Sequence, residues 1–139
     1  ALIRDLASNR YLETGTNILI IGPPGVGKTM LAIGLARKVA EAGHRTYFTN
    51  AADLAARCHR AAIEGRWATT MRFYAGPTLL AIDELGYLPF EANAAHLFFQ
   101  LVSRRYERGS MLVTSNRAVS EWGTVFGDSV VATAILDRL

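Results

Sequence analysis

The chain has 139 residues and a mass of 15.2 kDa, with 50% hydrophobic and 19% charged residues. A chain of this size can bury about two thirds of its unfolded surface in one core, so we expect residues 1–139 to form a single domain. No apolar run approaches the roughly 18 residues that span a membrane, and no signal-peptide pattern opens the chain. The single cysteine, Cys58, excludes an internal disulfide, and a reducing cytoplasm fits this composition best.

The charge balance permits a nucleic-acid partner without requiring one. Fifteen Lys and Arg residues against twelve Asp and Glu give a net charge of +3 and a pI of about 9.4. Lys28 and Lys38 are the only lysines, so the positive charge is almost all Arg, which suits bidentate phosphate contacts.

Apolar runs alternate with segments of helical periodicity along the chain. In order, we predict a strand at 17–21, a helix at 28–42, a strand at 45–49, helices at 51–63 and 67–74, a strand at 78–82, a helix at 92–108, a strand at 110–114, and short helices at 120–126 and 130–139. Strands separated by helices indicate an α/β fold with a parallel sheet covered on both faces. Ligands bind such sheets at the carboxyl ends of the strands.

The first strand is followed by GPPGVGKT, which matches the phosphate-binding pattern GxxxxGK[ST] in its required position between a strand and a helix. Glycines in this loop let backbone N–H groups approach phosphates, the lysine reaches the β and γ phosphates, and the threonine hydroxyl ligates Mg²⁺. The loop predicts binding of a nucleoside triphosphate with Mg²⁺. Its candidate binding residues are Gly22, Pro23, Pro24, Gly25, Val26, Gly27, Lys28, Thr29 and Met30.

Two carboxylates end the apolar run of the third strand. Asp83 and Glu84 would lie beside the phosphate loop if the sheet is wound as predicted. We expect Asp83, together with Thr29, to hold Mg²⁺, and Glu84 to orient and deprotonate the water that attacks the γ-phosphate. The alternative is an acidic pair that caps the next turn.

Asn116 follows the fourth strand in the same way, and its amide can hydrogen-bond both the γ-phosphate and the attacking water. The alternative for Asn116 is a plain turn. Arg138 lies near the end of the chain, where it is either an arginine finger that completes a neighbouring subunit's site or a surface residue paired with Asp137 or with a helix terminus.

Five stretches of the chain form a distinctive set: GPPGVGKTMLAIGLA, LLAIDELGYLPF, FQLVSRRYERGSMLVTSNR, SEWGTVFGD and AILDRL. Together they resemble the IstB family of insertion-sequence ATPases, relatives of the DnaC helicase loaders in the AAA+ superfamily. The phosphate motif is shared by many NTPases. A much smaller group of proteins shares the more specific stretches IDELGYLPF, LVSRRYERGS and SNR followed by EWG and FGD.

The resemblance implies an AAA+ core with a five-stranded sheet in the order 5-1-4-3-2. It also implies ATP hydrolysis, assembly of a homo-oligomer on DNA, and a role as a transposition helper that selects the target and activates a transposase. It assigns Asn116 to the first sensor and Arg138 to the finger, acting in trans. Family members also carry an N-terminal DNA-binding region and a C-terminal lid, so the chain resembles an excised core with the lid absent or truncated.

Between the second and third strands, Arg57, Arg60, Arg66 and Arg72 are the candidate nucleic-acid contacts, since the resembled branch binds nucleic acid through a helical insertion there. Cations of this kind would bind phosphate without reading sequence, and a solvated helix face is the alternative. We expect Arg104, Arg105 and Arg108 to form an exposed helix end, and Cys58 to be a small buried residue.

Two other functions fit parts of the pattern. A DnaC-like helicase loader would use ATP to set its affinity for DNA and for a replicative helicase, with slow hydrolysis. A small-molecule kinase fits the phosphate motif and the chain length, but it gives Asn116 and Arg138 no use and predicts no oligomer.

Overall fold

The structure is a computed structural model that describes residues 8–139. A 3-10 helix at Arg10–Thr14 precedes the first strand, and another lies at Val119–Glu121. The remaining elements, in chain order, are β1 (Ile18–Ile21), α1 (Lys28–Glu41), β2 (Thr46–Asn50), α2 (Ala51–Glu64), α3 (Trp67–Ala75), β3 (Leu79–Leu85), α4 (Ala92–Arg105), β4 (Ser110–Ser115), α5 (Trp122–Phe126) and α6 (Ser129–Arg138). The predicted order of strands and helices is confirmed.

The strands form one parallel sheet in the order β1-β4-β3-β2. This is the expected order without its fifth strand: the prediction of five strands is wrong for residues 8–139, which contain four. Two α-helices, α5 and α6, follow β4 within these residues. None of the described helices is long and apolar enough to cross a membrane.

Helices cover both faces of the sheet, as expected. Leu79 and Ala81 of β3 face α1 in the smaller apolar cluster, whereas Leu80 and Ile82 belong to the larger cluster, which gathers α2 to α6. Alternate residues of a strand point to opposite faces, so a strand buried on both sides is apolar throughout. This arrangement leaves the carboxyl ends of the strands to carry polar groups.

β1 lies at one edge of the sheet and is covered on one side only. Ile18 and Ile20 pack toward α1, but Leu19 and Ile21 point to the opposite face and are 36% and 42% exposed. Among the described residues, no strand pairs with the outer edge of β1.

Arg105 contradicts the expectation of an exposed helix end, because it is buried with 2% of its surface accessible. α4 ends at Arg105 rather than at Arg108, while Arg104 and Arg108 are exposed as expected. The guanidinium of Arg105 donates to five backbone carbonyls at 2.8–3.4 Å, those of Tyr74, Ala75, Pro77, Thr78 and Ser110. It thereby joins the end of α3 to the starts of β3 and β4.

Candidate nucleotide-binding and hydrolysis site

The phosphate loop begins where β1 ends and turns sharply into α1. The Gly22 N–H donates to the Ser115 carbonyl at 3.1 Å, which continues the pairing of β1 with β4 into the loop. Gly25 and Gly27 have φ values of +84° and +89°, a region that residues with a Cβ rarely adopt. Gly27 is the N-cap of α1 and supplies no side-chain cap, so the first N–H groups of the helix face the loop without a capping partner.

Lys28 and Thr29, the first residues of α1, point their polar groups at different partners. The Lys28 ammonium donates to the Pro23 carbonyl at 2.7 Å, across the loop. The Thr29 hydroxyl donates to Asp83 Oδ2 at 2.8 Å, which joins the start of α1 to β3. The predicted proximity of the phosphate loop to the acidic pair is therefore present.

Asp83 and Glu84 lie within β3 rather than after it, and they differ in exposure. Asp83 is 5% exposed, whereas Glu84 is exposed to solvent. The register with β4 shifts between Ile82 and Leu85, because one extra residue is inserted in β3, and Glu84 takes a φ of +62°. Such a bulge re-aims a side chain. A non-glycine residue in this region costs on the order of 1–3 kcal/mol, which the surrounding structure has to offset.

Thr114 connects the two acids, although the sequence reasoning did not single it out. Its hydroxyl donates to Asp83 Oδ1 in a short hydrogen bond and accepts the Glu84 N–H at 2.9 Å. Thr114 is 1% exposed, so its hydroxyl is shielded from solvent. A threonine inside an apolar strand is an ordinary strand residue, which is why the sequence alone gave no signal.

Asn116 extends from the end of β4, and its Oδ1 is buried without a hydrogen-bond partner. Two contacts hold its loop against β3. The Ser115 hydroxyl donates to the Leu85 carbonyl at 2.7 Å. Gly86, directly after β3, packs closely against Asn116, since a Cβ added at Gly86 would lie 3.0 Å from Asn116 Oδ1. A buried polar atom without a partner is unusual, and the Asn116 amide oxygen is therefore available to accept a hydrogen bond.

These groups line one cavity of about 340 Å³ at the carboxyl edge of the sheet. Its lining residues are Pro24, Gly25, Gly27, Lys28, Thr29, Met30, Asp83, Glu84, Tyr87, Thr114 and Asn116. Gly22, Pro23 and Val26 belong to the loop but not to this lining. Tyr87, 71% exposed, is a second lining residue that the sequence reasoning missed.

The donor set at Thr29 and Asp83 fits magnesium. A hydroxyl and a carboxylate are hard oxygen ligands, and magnesium is commonly held by one or two carboxylates together with substrate phosphates. Within residues 8–139, no group of three or more His, Cys, Asp and Glu side chains forms a metal cage. A site shared between protein and phosphates needs no such cage.

Arg138 lies away from this cavity. Its guanidinium stacks over the Tyr106 ring at 5.2 Å, and its carbonyl accepts a 3.3 Å hydrogen bond from Asn17. Asn17 also accepts the Met111 N–H at 2.7 Å, so it joins the end of α6 and the start of β1 to the start of β4. Because Asn17 precedes β1 and Tyr106 precedes β4, Arg138 lies at the amino edge of the sheet.

Three of the four candidate nucleic-acid arginines surround a groove of about 390 Å³ between α2 and α3. Arg57, Arg60 and Arg66 line it together with Phe73, which is 48% exposed. Arg72 is exposed but does not line this groove. Arg66 also forms an ion pair with Glu64 at 3.6 Å, which leaves Arg57 and Arg60 as the less neutralised cations.

Cys58, on the inner face of α2, is fully buried, as expected. Burial raises the pKa of its thiol to about 12, so the thiolate that reacts as a nucleophile does not form at neutral pH.

The fold is shared with solved structures of DNA replication proteins. The crystal structure of the DnaC helicase loader superposes with a TM-score of 0.80, covering 99% of this chain and 82% of that chain at 24% identity. The likeness confirms the AAA+ type of P-loop fold.

Closer relatives occur among proteins named for insertion sequences and for ATP binding. One from Geobacillus stearothermophilus, named for IS5376, is 46% identical over 99% of this chain and 55% of its own length. Another from Pseudomonas aeruginosa, named for IS21, is 45% identical over 99% of this chain and 52% of its own length. The chain thus spans about half the length of these relatives. The family described as "IstB-like ATP binding protein" matches residues 1–139, and the chain belongs to that family.

Proposed function

We propose that residues 1–139 are the ATPase core of a protein that hydrolyses ATP to ADP and phosphate with Mg²⁺. The observation that carries this proposal is the meeting of Lys28, Thr29, Asp83, Glu84 and Asn116 at one cavity, although they come from three separate stretches of the chain. A turn that merely ended β1 would need none of the last three residues.

The phosphate loop would bind the triphosphate. The N–H groups around Gly25 and Gly27, with the positive end of the α1 dipole, suit the negative charge of the phosphates. Lys28 would exchange its bond to the Pro23 carbonyl for the β and γ phosphates. Thr29 and Asp83 would hold Mg²⁺, which neutralises charge between the β and γ phosphates when bound.

Glu84 would serve as the base. It accepts a proton from water as the water oxygen forms a bond to the γ-phosphorus, and the bond from that phosphorus to the ADP oxygen breaks. The bulge at Glu84 turns this exposed carboxylate out of the strand. Asn116, with its amide at the same cavity, would orient the water and the γ-phosphate.

Arg138 would act on a neighbouring copy in a homo-oligomer. β4 has six residues, so its two ends are about 17 Å apart, and an arginine at the amino edge cannot reach its own cavity. A finger supplied by another subunit neutralises charge that develops in the transition state and is worth about 10³–10⁵ in rate. Its stacking on Tyr106 would orient the guanidinium before that contact forms.

DNA would bind at the groove between α2 and α3. Arg57 and Arg60 are three residues apart on one helix and exposed, and the exposed Phe73 adds an aromatic surface beside them. Arg66 and Arg72 would contribute more weakly, since Arg66 is paired with Glu64 and Arg72 lies outside the groove. Such contacts would hold the phosphate backbone without reading sequence.

We propose that this activity serves transposition, with a transposase as protein partner. The names of the relatives, which refer to insertion sequences, support that role over the helicase-loader alternative. The likeness to DnaC shows a shared fold and does not by itself favour a replicative helicase as partner. A cytoplasmic location would follow from either role.

ATP turnover by the complete protein, measured with and without duplex DNA, tests the hydrolytic function. We expect DNA to raise the rate, and Glu84→Gln to remove turnover while ATP binding and the ATP-dependent retention of DNA persist. Absence of turnover in the unaltered protein, together with ATP-dependent DNA binding, would instead indicate a nucleotide-gated switch. Turnover unchanged by Glu84→Gln would contradict the role of Glu84 as base.

Mixing two inactive variants tests the finger. Lys28→Ala should weaken ATP binding strongly, whereas Arg138→Ala should retain it and lose turnover. If Arg138 acts across the subunit interface, mixed assemblies should regain some activity, because an intact cavity then meets an intact finger. Equal loss of ATP affinity in both single variants would refute this assignment, and light scattering with and without ATP shows whether an oligomer forms.

A further inference from the structure

We propose that Thr114 is a positioning residue that sets the orientation of both acids in the site. This inference rests on the proposed ATPase function and adds a residue to it. Thr114 lies on β4, whereas Asp83 and Glu84 lie on the neighbouring β3, so its hydroxyl contacts them from the side.

The directions of the hydrogen bonds around Thr114 are fixed by chemistry. A backbone N–H can only donate, so the Thr114 oxygen accepts from Glu84 at 2.9 Å. Its own proton is then directed to Asp83 Oδ1, while Thr29 donates to Asp83 Oδ2 at 2.8 Å. Both carboxylate oxygens thus accept from hydroxyls, and the carboxylate plane is held between α1 and β4. A carboxylate held in this way would favour a shared site for Mg²⁺ at Thr29 and Asp83, because hydrogen bonds to a ligating carboxylate fix its position.

The second bond acts on the backbone. Glu84 has a φ of +62° at the bulge, and glutamate, unlike glycine, adopts this backbone conformation only at a cost in free energy. The Thr114 hydroxyl accepts the Glu84 N–H and so stabilises this conformation, which decides where the Glu84 carboxylate points. A single hydroxyl therefore links the orientation of the residue proposed to hold the metal to that of the proposed base.

No other group can take over this task readily. Thr114 is 1% exposed and Asp83 is 5% exposed, so both side chains are largely shielded from bulk solvent. Without the hydroxyl, Asp83 Oδ1 loses a donor and the Glu84 N–H loses an acceptor. Ligand-supporting residues of this kind typically contribute about 10–100-fold to metal affinity or activity.

The test compares Thr114→Val, which keeps the size but removes the hydroxyl, with Thr114→Ser, which keeps the hydroxyl. Thr133→Val is the matched control, because Thr133 lies exposed on α6 and donates only to the Ser129 carbonyl within that helix. In the complete protein, ATP dissociation constants are measured with Mg²⁺ and with EDTA, and turnover is measured in parallel. The ratio of the two constants gives the contribution of Mg²⁺ to ATP binding without requiring hydrolysis.

We expect Thr114→Val to reduce kcat and this Mg²⁺ contribution by about 10–100-fold, while ATP binding in EDTA stays the same. Thr114→Ser should restore most of both, and Thr133→Val should change neither. Unchanged kcat and Mg²⁺ contribution in Thr114→Val, or equal losses in the Ser and Val variants, would overturn the inference.

Two further outcomes remain decisive. If the unaltered protein binds ATP but does not hydrolyse it, the proposed ATPase function fails, and the Mg²⁺ contribution alone still decides the role of Thr114. If Thr114→Val does not fold, as judged by circular dichroism, Thr114→Cys replaces it, because a thiol is only a weak hydrogen-bonding group. Loss of the Mg²⁺ contribution in a folded Thr114→Cys would support the inference, and its retention would overturn it.

Discussion

Replacing Arg105 by methionine removes the guanidinium that joins α3 to the starts of β3 and β4. Methionine has a helix propensity close to that of arginine, so the change acts mainly on the hydrogen bonds. Arg105 makes five of them to backbone carbonyls, and those to Tyr74, Pro77 and Ser110 are buried. Among residues 8–139, no carboxylate lies within ion-pair distance of Arg105.

The expected loss of stability follows from the three buried bonds. A hydrogen bond to a charged group contributes about 1.5–3 kcal/mol, and the lower end suits bonds that share one guanidinium. Three such bonds give about 4–5 kcal/mol, less a part regained because methionine suits an apolar interior better than a guanidinium does. Burial also lowers the pKa of Arg105 to about 10, which reflects the cost of keeping its charge there. We therefore expect a net loss of about 3–4 kcal/mol, a large part of the 5–15 kcal/mol typical of a domain.

Urea unfolding followed by circular dichroism measures this loss. The control is Arg104→Met, because Arg104 is the exposed neighbour of Arg105 on the same helix, and we expect it to change stability by less than about 0.5 kcal/mol. The slope of the free energy of unfolding against urea should stay the same in both variants. A loss in Arg105→Met as small as that of the control would refute the stabilising role of these carbonyl contacts.

Three further predictions concern the ligand sites and the core. Lys28→Ala should weaken ATP binding by about 10-fold or more in calorimetry, since a charge-assisted bond of about 1.5–3 kcal/mol is lost; unchanged affinity would contradict its role. Arg57→Ala combined with Arg60→Ala should weaken DNA binding evenly across sequences and lower the slope of log K against log salt by about 2. The control Arg72→Ala should change this slope less. An unchanged slope in the double variant would mean that DNA binds at another surface. Burial raises the pKa of Cys58 from 9.0 to about 12. As the pH rises, the Cys58 thiol therefore ionises first in the unfolded chain, and this lowers the stability of the folded protein between about pH 9 and pH 12. A Cys58→Ala variant should lose less stability than the parent between pH 8 and pH 11.

The strands and the carboxyl-edge site could be predicted because their causes are local. β3 and β4 are buried on two faces and are mostly apolar, and the shorter runs of β1 and β2 at the two edges of the sheet also stand out between helical segments. The phosphate loop, with its glycines, and the acidic pair at the end of an apolar run could likewise be predicted from the local sequence pattern. Once the sheet is parallel, these groups have to meet at one edge.

Other features depend on contacts between distant residues. The bulge at Glu84 has no signal in its own residue type, because glutamate does not favour a positive φ. Thr114 matters only because β4 lies beside β3 in this register. Neither the bulge nor the hydroxyl could be inferred before the pairing of the strands was known.

Arg105 is a different case, since a signal was present in the sequence. The buried residues Ala94, Phe98 and Leu101 recur at helical spacing, and Arg105 is the next position on that face. The charge of Arg105 suggested that its side chain is exposed to solvent, but its position on the apolar face of α4 places it in the interior. The carbonyls near the start of β3 supply what a charged group needs inside the protein.

The outer edge of β1 has a practical consequence for work with this chain in isolation. A strand edge without a partner presents unpaired N–H and C=O groups, and exposed apolar side chains such as Leu19 and Ile21 make it a template for pairing between molecules. Self-association of the 139-residue chain through this edge would increase with concentration whether or not ATP is present. We expect nucleotide to strengthen an oligomer in which Arg138 contacts the phosphates of a neighbouring copy, so mass measurements at several protein concentrations, each with and without ATP, separate aggregation from functional assembly.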